Sequence, residues 1–179
     1  MPNVDPRYPI GRYTSPSTIT HDNRHEWITA IAVLPRELKE AVRGMSESDL
    51  ETPYRNGGWT VRQVIHHVAD SHLNAYTRFR LGLTEDKPVI KPYDEKAWAE
   101  LPDARTSPIE SSLQLASALH ARWVDLLRSL KEADFQRTFV HPEIGERTLD
   151  WTVGLYAWHG RHHLAHVRMA RGKLVGAQH

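Results

Sequence analysis

The sequence predicts an all-α protein with four long helical segments. Two observations carry that expectation. In three long segments the apolar residues recur every three or four positions, the spacing that gathers them on one helical face, and a fourth carries histidines at the same spacing. In one of these, Ile109, Leu113, Ala116, His120, Trp123, Leu127 and Leu130 form a heptad-like seam of the kind that packs in helix bundles. At 179 residues the chain is long enough for one domain with a substantial core, and a single domain over 1–179 is the expected organisation.

Residues 1–19 are proline-bearing and without periodicity, so they read as an extended N-terminal arm whose Tyr8-Pro9-Ile10-Gly11 lies on a surface. From about Thr20 to Arg43, Trp27, Ile31, Leu34, Leu38 and Val42 mark the first amphipathic helix. Pro35 lies inside it. A proline removes one backbone donor and crowds the preceding turn, which predicts a kink or break near Leu34. Ser46-Glu47-Ser48-Asp49 has the form of a short capped turn.

A glycine-centred loop, Tyr54 to Thr60, precedes the second long helix, and Thr60 with Gln63 makes a capping box at its start. Its apolar face runs from Val61 to about Leu83. Residues 84–107, containing Tyr93-Asp94-Glu95-Lys96, form a connection too long for a tight turn, a length that points to function or to a crossover along a bundle. Ser107-Pro108-Ile109-Glu110 predicts the cap, first residue and acidic third position of the next helix. Phe135 to Arg147, with His141-Pro142 and Gly145, reads as a loop or short hairpin. Thr148 or Asp150 then caps the last helix, which extends to about Arg171. Gly154 and Gly160 lie within it and would let a neighbour approach closely.

Composition narrows the function. Lys plus Arg number 23 against Asp plus Glu 22, a formal charge of +1, so no field gathers nucleic acid or an anionic membrane, and a small molecule is the expected partner. Cysteine is absent, which leaves histidine and carboxylate as the strong metal ligands and requires any thiol chemistry to use the substrate's thiol. No apolar leader opens the chain and no run approaches a membrane span, so the cytoplasm is the expected location.

Histidine is the residue that stands out, at 12 copies, four of them between Leu155 and Val167. On an α-helix His159 and His163 stack one turn apart, with His166 close to the same direction. H-x-x-x-H is the spacing that lets two neutral imidazoles reach one ion, and zinc and nickel are the ions imidazole suits. The remaining ligand must come from elsewhere. The second helix carries His66, His67 and His72; periodicity puts His72 nearest the middle of its apolar stripe and does not choose between His66 and His67. His72 reads as a hydrogen-bonded core histidine, and His120 as either a core histidine with a partner or a wall of a central pocket.

Four motifs carry a resemblance that covers nearly the whole chain. They are Tyr8-Pro9-Ile10-Gly11; Thr52-Pro53-Tyr54-Arg55-x-Gly57-Gly58-Trp59-Thr60-Val61-Arg62-Gln63-Val64-x-His66-His67-x-Ala69-Asp70-Ser71-His72; Pro92-Tyr93-Asp94-Glu95-Lys96-Ala97-Trp98; and Trp158-His159-x-x-His162-His163-x-Ala165-His166. With them the chain resembles the YfiT group of the DinB-like superfamily, described as metal-dependent hydrolases and as bacillithiol S-transferases. The resemblance implies a four-helix bundle of the DinB/YfiT type with long crossover loops, a bound nickel or zinc ion and a homodimer. Carried over residue by residue, it implies His67, His159 and His163 as the metal ligands, with His66, His162 and His166 as neighbours.

Three histidines with an open fourth position make a catalytic type of site, in which a bound water or thiol loses its proton near neutral pH. The first expectation is an enzyme that activates a low-molecular-weight thiol such as bacillithiol for transfer to an electrophile. The second is metal-dependent hydrolysis with Asp70, Asp94 or Glu95 as general base, and the third a metal-binding protein without turnover, closed by a fourth protein ligand such as His162, His166 or His72. Asp70 is the candidate catalytic acid or base. Tyr93 and Lys96 of the long connection are the candidate substrate-binding residues.

Overall fold

In the computed structural model, which describes residues 5–176, the elements follow in the order α1 (His21–Ala41), α2 (Glu47–Leu50), α3 (Val61–Thr84), α4 (Glu95–Ala99), α5 (Pro102–Thr106), α6 (Glu110–Ser129), α7 (Glu132–Phe135), β1 (Thr138–His141), β2 (Gly145–Thr148) and α8 (Leu149–Gly176). The four long helices, α1, α3, α6 and α8, make the bundle. α1 packs on α8 and α6, and α3 packs on the same two, so α1 and α3 face one another across a diagonal. The first four residues of the expected arm, Met1 to Val4, and the residues after Gly176 lie outside the described part of the chain. Among the described residues no helix is long and apolar enough to cross a membrane.

Local signals explain the helix starts. Thr20 caps α1, Ser46 caps α2 and Thr60 caps α3, each in a capping box with the residue three further on. Thr148 Oγ accepts from the Trp151 backbone N–H at the start of α8, whereas buried Asp150 pairs with Arg24 at 2.9 Å. The third long helix departs from expectation: α6 begins at Glu110, two residues late, and the Ser107 side chain makes no cap. Ser107 instead ends α5, and its carbonyl accepts from buried Arg62 at 2.8 Å. The crossover between α3 and α6 holds two short helices, α4 and α5, packed against α3.

α1 runs through Pro35 without a break. Proline lacks the N–H that would have bonded the Ile31 carbonyl one turn back. That carbonyl is not orphaned, because His120 Nδ1 lies 2.7 Å away. His120 thereby occupies the hydrogen bond that the proline vacates.

Two apolar cores occupy the ends of the bundle. Trp27, Ile31, Phe79, Trp123, Leu127 and Leu149 fill one, and Leu34, Leu38, Val61, Ile65, Leu164 and Val167 fill the other. Between them on α3 and α8 come His67, His72, His159 and His163, so a layer of imidazoles crosses the molecule at mid-height. Gly160 lies at that boundary, where a Cβ would collide with Leu34, and Gly154 where one would collide with the Tyr13 hydroxyl and approach Trp27 at 2.9 Å. The arm follows α8, with Tyr13 donating to the Trp151 carbonyl and Trp158 to that of Gly11, each at 3.2 Å.

Candidate metal centre

His67 projects from α3 toward α8, where His159 and His163 stand one turn apart. One ring nitrogen from each of the three lies within 4.8 Å of the others. His67 Nε2 and His159 Nε2 are 3.3 Å apart. A tetrahedral ion with metal–nitrogen bonds of about 2.0–2.1 Å spans an edge of roughly 3.4 Å, so the pair is already set at coordination spacing.

The electrostatics suit a ligand set. Burial, reinforced by His162 and His166, pushes His67 down to about 4. Burial likewise holds His159 and His163 well below the ordinary histidine range. All three are therefore neutral at pH 7, with the lone pairs an ion needs. The neighbouring charges that act on these rings are those of other histidines, and no carboxylate figures among them. An all-nitrogen donor set suits zinc, nickel or copper and not calcium or magnesium, which take oxygen.

His66 faces the other way. Its Nδ1 lies 2.7 Å from Ser112 Oγ and its Nε2 3.2 Å from the Ser107 carbonyl, so it ties α3 to α6 and the crossover. Successive helical residues differ by about 100°, which is why one histidine of the pair meets α8 while the other meets α6. His72 lies in the core, its Nε2 3.2 Å from His159 Nδ1 and its ring stacked on His120 at 4.8 Å. His162 and His166, buried beside His163, form a second group with it whose nitrogens also lie within 4.8 Å. His166 stacks on Tyr54 at 3.8 Å and His162 on Trp158 at 4.6 Å.

Two cavities meet at these rings. One, of about 1040 Å³, is lined by His67, His159 and His163 together with Arg7, Tyr8, Tyr54 and Trp59. The other, of about 740 Å³, is lined by Ser71, Arg78, Tyr93, Tyr156 and His159. His159, Glu95 and Lys96 border both, so the stretch from Tyr93 to Lys96 stands between them. Of the two candidate substrate-binding residues, Tyr93 faces the second cavity and Lys96 both. Burial pushes the Tyr93 phenol up, so it stays a neutral hydrogen-bonding group. Asp70 lines neither cavity. It is half-buried near Asp103, and burial with that like charge raises its carboxyl to about 6.

Sequence reasoning passed over several residues at this site. Ser71 Oγ is 3.5 Å from His159 Nε2, and Ser71 follows His67 by four, the same-face spacing that could have found it. Tyr156 precedes His159 by three and its ring lies 5.5 Å away. Trp59, set 4.6 Å from the His67 ring, is placed by the loop in which Gly57 takes φ +64° and Tyr54 N–H bonds the Trp59 carbonyl. Arg7 and Tyr8 line the larger cavity, although no chemistry is visible in the arm's sequence.

The bundle of four helices thus carries an all-histidine group that could hold a metal ion beside cavities able to admit a small molecule, and comparison places the chain within a family. It belongs to the DinB superfamily, whose model matches residues 30–167. It is 54% identical over 170 residues to proteins of Bacillus mycoides (strain KBAB4) and Bacillus cereus (strain B4264), covering 95% of this chain and 98% of each of those, and both carry the name "Putative metal-dependent hydrolase". Among solved structures it matches YfiT from Bacillus subtilis, described as a probable metal-dependent hydrolase with an unusual four-helix bundle topology. That match has a TM-score of 0.92 and 48% identity, over 96% of this chain and 98% of that one.

Proposed function

We propose that the protein is a metal-dependent enzyme in which His67, His159 and His163 hold a zinc or nickel ion, and that it activates a small thiol, of which bacillithiol is one, for transfer to an electrophile. One observation carries this reading: all three histidines line the larger cavity and His159 borders the smaller one as well, which gives two substrates access to one site. An ion held by His67, His159 and His163 would supply Lewis acidity that favours the deprotonated form of water or a thiol. The chain supplies the rest. Lys96 and Arg7 present positive charge to the larger cavity, and Ser71, Tyr93 and Tyr156 offer hydroxyls to the smaller one.

The surroundings favour a thiol over water as the group activated. A thiol ionises near pH 8.5 and needs little help from a base, and although Glu95 borders the cavities, no carboxylate hydrogen-bonds any of the three histidines among the described residues. The relatives' name favours the second reading, hydrolysis. There the candidate bases are Asp70, Asp94 and Glu95, of which Glu95 lines both cavities and Asp70 neither. A structural metal site would be closed by a fourth protein ligand; His159 is partly exposed toward the cavities, which suits turnover instead. The test is an assay of zinc- and nickel-loaded protein with a thiol plus a chromogenic electrophile, beside ester and amide substrates. Chelator-sensitive loss of free thiol supports transfer. Chelator-sensitive hydrolysis with no thiol dependence would replace it with the second reading.

A further inference from the structure

Each of the two candidate ligands on α8 is backed by another histidine. His159 Nδ1 lies 3.2 Å from His72 Nε2, and His163 Nδ1 lies 3.4 Å from His166 Nδ1. These contacts are made by the ring nitrogens on the far side from an ion held at Nε2. A neutral imidazole carries one proton, so coordination through Nε2 puts that proton on Nδ1, where it must be donated. Of two abutting imidazoles one donates and the other accepts. Resting on the proposed ligand set, we infer that His72 and His166 are positioning residues, whose unprotonated Nε2 and Nδ1 accept the Nδ1 protons of His159 and His163 and so aim Nε2 of both at the metal.

The surroundings fit that assignment. His72 is fully buried, clamped between His120 and the edge-on rings of Trp123 and Tyr156. Its only hydrogen bond runs to His159, and its own Nδ1 has no partner among the described residues. With Nε2 accepting, that buried Nδ1 carries an unmatched proton, which is unfavourable; a metal holding His159 at Nε2 would impose it, because the His159 proton is then fixed on Nδ1 and His72 Nε2 is the atom it meets. His166 is 2% exposed and is held flat by Tyr54. Its Nε2 points away from His163, and the backbone of Pro6 and Arg7 lies beside the ring, so the arm packs against the histidine that backs the second ligand.

The choice of acceptor has a chemical consequence. Metal-bound histidines usually donate to a carboxylate, a carbonyl or water, and a carboxylate makes its partner more basic. A neutral imidazole does so less. The ion would keep more of its positive charge and act more strongly on whatever occupies its open position.

The test measures zinc affinity, by competition with a chromophoric chelator, for the full-length wild type and for His72→Phe, His72→Gln, His166→Phe and His166→Asn. Glutamine carries its oxygen where histidine has Nε2, and asparagine where it has Nδ1, so each can restore the lost acceptor. The phenylalanine variants are expected to bind zinc about 10–100-fold more weakly, with His72→Gln and His166→Asn recovering most of the loss; melting of metal-free protein separates this from misfolding. Zinc-loaded wild type, examined by proton–nitrogen NMR of its histidines, is expected to carry protons on Nδ1 of His159, His163 and His72 and on Nε2 of His166, a readout that does not depend on any variant folding. Phenylalanine variants that bind like wild type, or the opposite tautomer at His72 or His166, would overturn the assignment. A second zinc equivalent lost only in His166→Phe would overturn it for His166, making that residue a ligand of its own site. Failure of the wild type to bind zinc or nickel at all would instead remove the ligand set on which the inference rests.

Discussion

At the residue scale the protein turns on how twelve histidines are divided among tasks that a sequence alone does not distinguish. His67→Ala, His159→Ala and His163→Ala are each expected to abolish stoichiometric zinc or nickel binding, whereas His66→Ala should leave it near wild type, because His66 points at Ser112 and Ser107. Metal analysis of purified variants checks this, and full metal content in any of the first three refutes the ligand set. A second expectation concerns pH. In the metal-free protein burial depresses His67, His162 and His166 to about 4 from the ordinary 6.5, and holds His72 and His163 well below the ordinary range. Between those values the unfolded chain binds protons that the folded one refuses, so stability rises with pH there. The stability these groups contribute is therefore present above about pH 6.5 and lost as pH falls toward 4. Asp70, raised from 3.8 to about 6, works in the opposite sense, losing stability as pH rises through that window, as do Glu95 and Asp150, which burial also raises, but the depressed histidines outnumber these three carboxyls. Melting temperature of metal-free protein should fall steeply from about pH 6.5 to about 4.5; a flat profile would show that the imidazole layer is not buried as described.

At the scale of elements, the instructive case is the proline in α1. Pro35 predicts a kink or a break, and the helix continues without a break, with His120 of α6 bonding the Ile31 carbonyl that the proline leaves free. His120→Leu should cost about 1–3 kcal/mol, since it leaves that buried carbonyl unpaired. In a Pro35→Ala background the restored backbone N–H takes its place, so the same change should cost less. A double-mutant cycle by denaturant unfolding measures the difference, and additive effects would disprove the link. The glycines of α8 are governed by the same proximity. Gly160→Ala pushes a methyl group into Leu34 at the edge of the imidazole layer, and overpacking of this kind costs about 1–3 kcal/mol. Because it displaces α8 where His159 and His163 sit, zinc affinity should fall along with stability.

At the scale of the whole molecule, the metal is expected to act as a cross-link between two halves of the fold. The candidate ligands come from α3 and α8, which only the native bundle brings together, so ligand binding should be folding energy. Zinc at about 100 times its dissociation constant should stabilise the protein by about 2.7 kcal/mol, read as a rise in melting temperature that a chelator reverses and that His67→Ala abolishes. The two cavities make a kinetic prediction at the same scale. If they hold separate substrates, Tyr93→Phe should raise the apparent KM for one substrate and leave the other nearly unchanged, since Tyr93 lines the smaller cavity alone, whereas Lys96→Ala, on the border, should affect both. Equal effects of the two variants on both substrates would mean a single undivided site.

Much of this architecture is legible in the sequence, because it is set by local rules. The capping box at Thr60, the capped turn at Ser46, the amphipathic stretches of α1, α3 and α6 and the H-x-x-x-H pair depend on residues within a turn or two of one another, and there helical geometry decides the outcome. The YfiT-like motifs extended that reading to the bundle and its family. What the tertiary structure decided are matters between distant segments. It turned His67 toward α8 and His66 toward α6, set His72 and His166 behind the two histidines of α8, laid the arm's Arg7 and Tyr8 against the larger cavity, and supplied His120 to the carbonyl that Pro35 had freed. The physical reason is common to all of these. A buried imidazole, carbonyl or proline must be matched by whatever packs against it, and the identity of that partner is settled by the order of helices around the bundle and not by the spacing of residues along the chain.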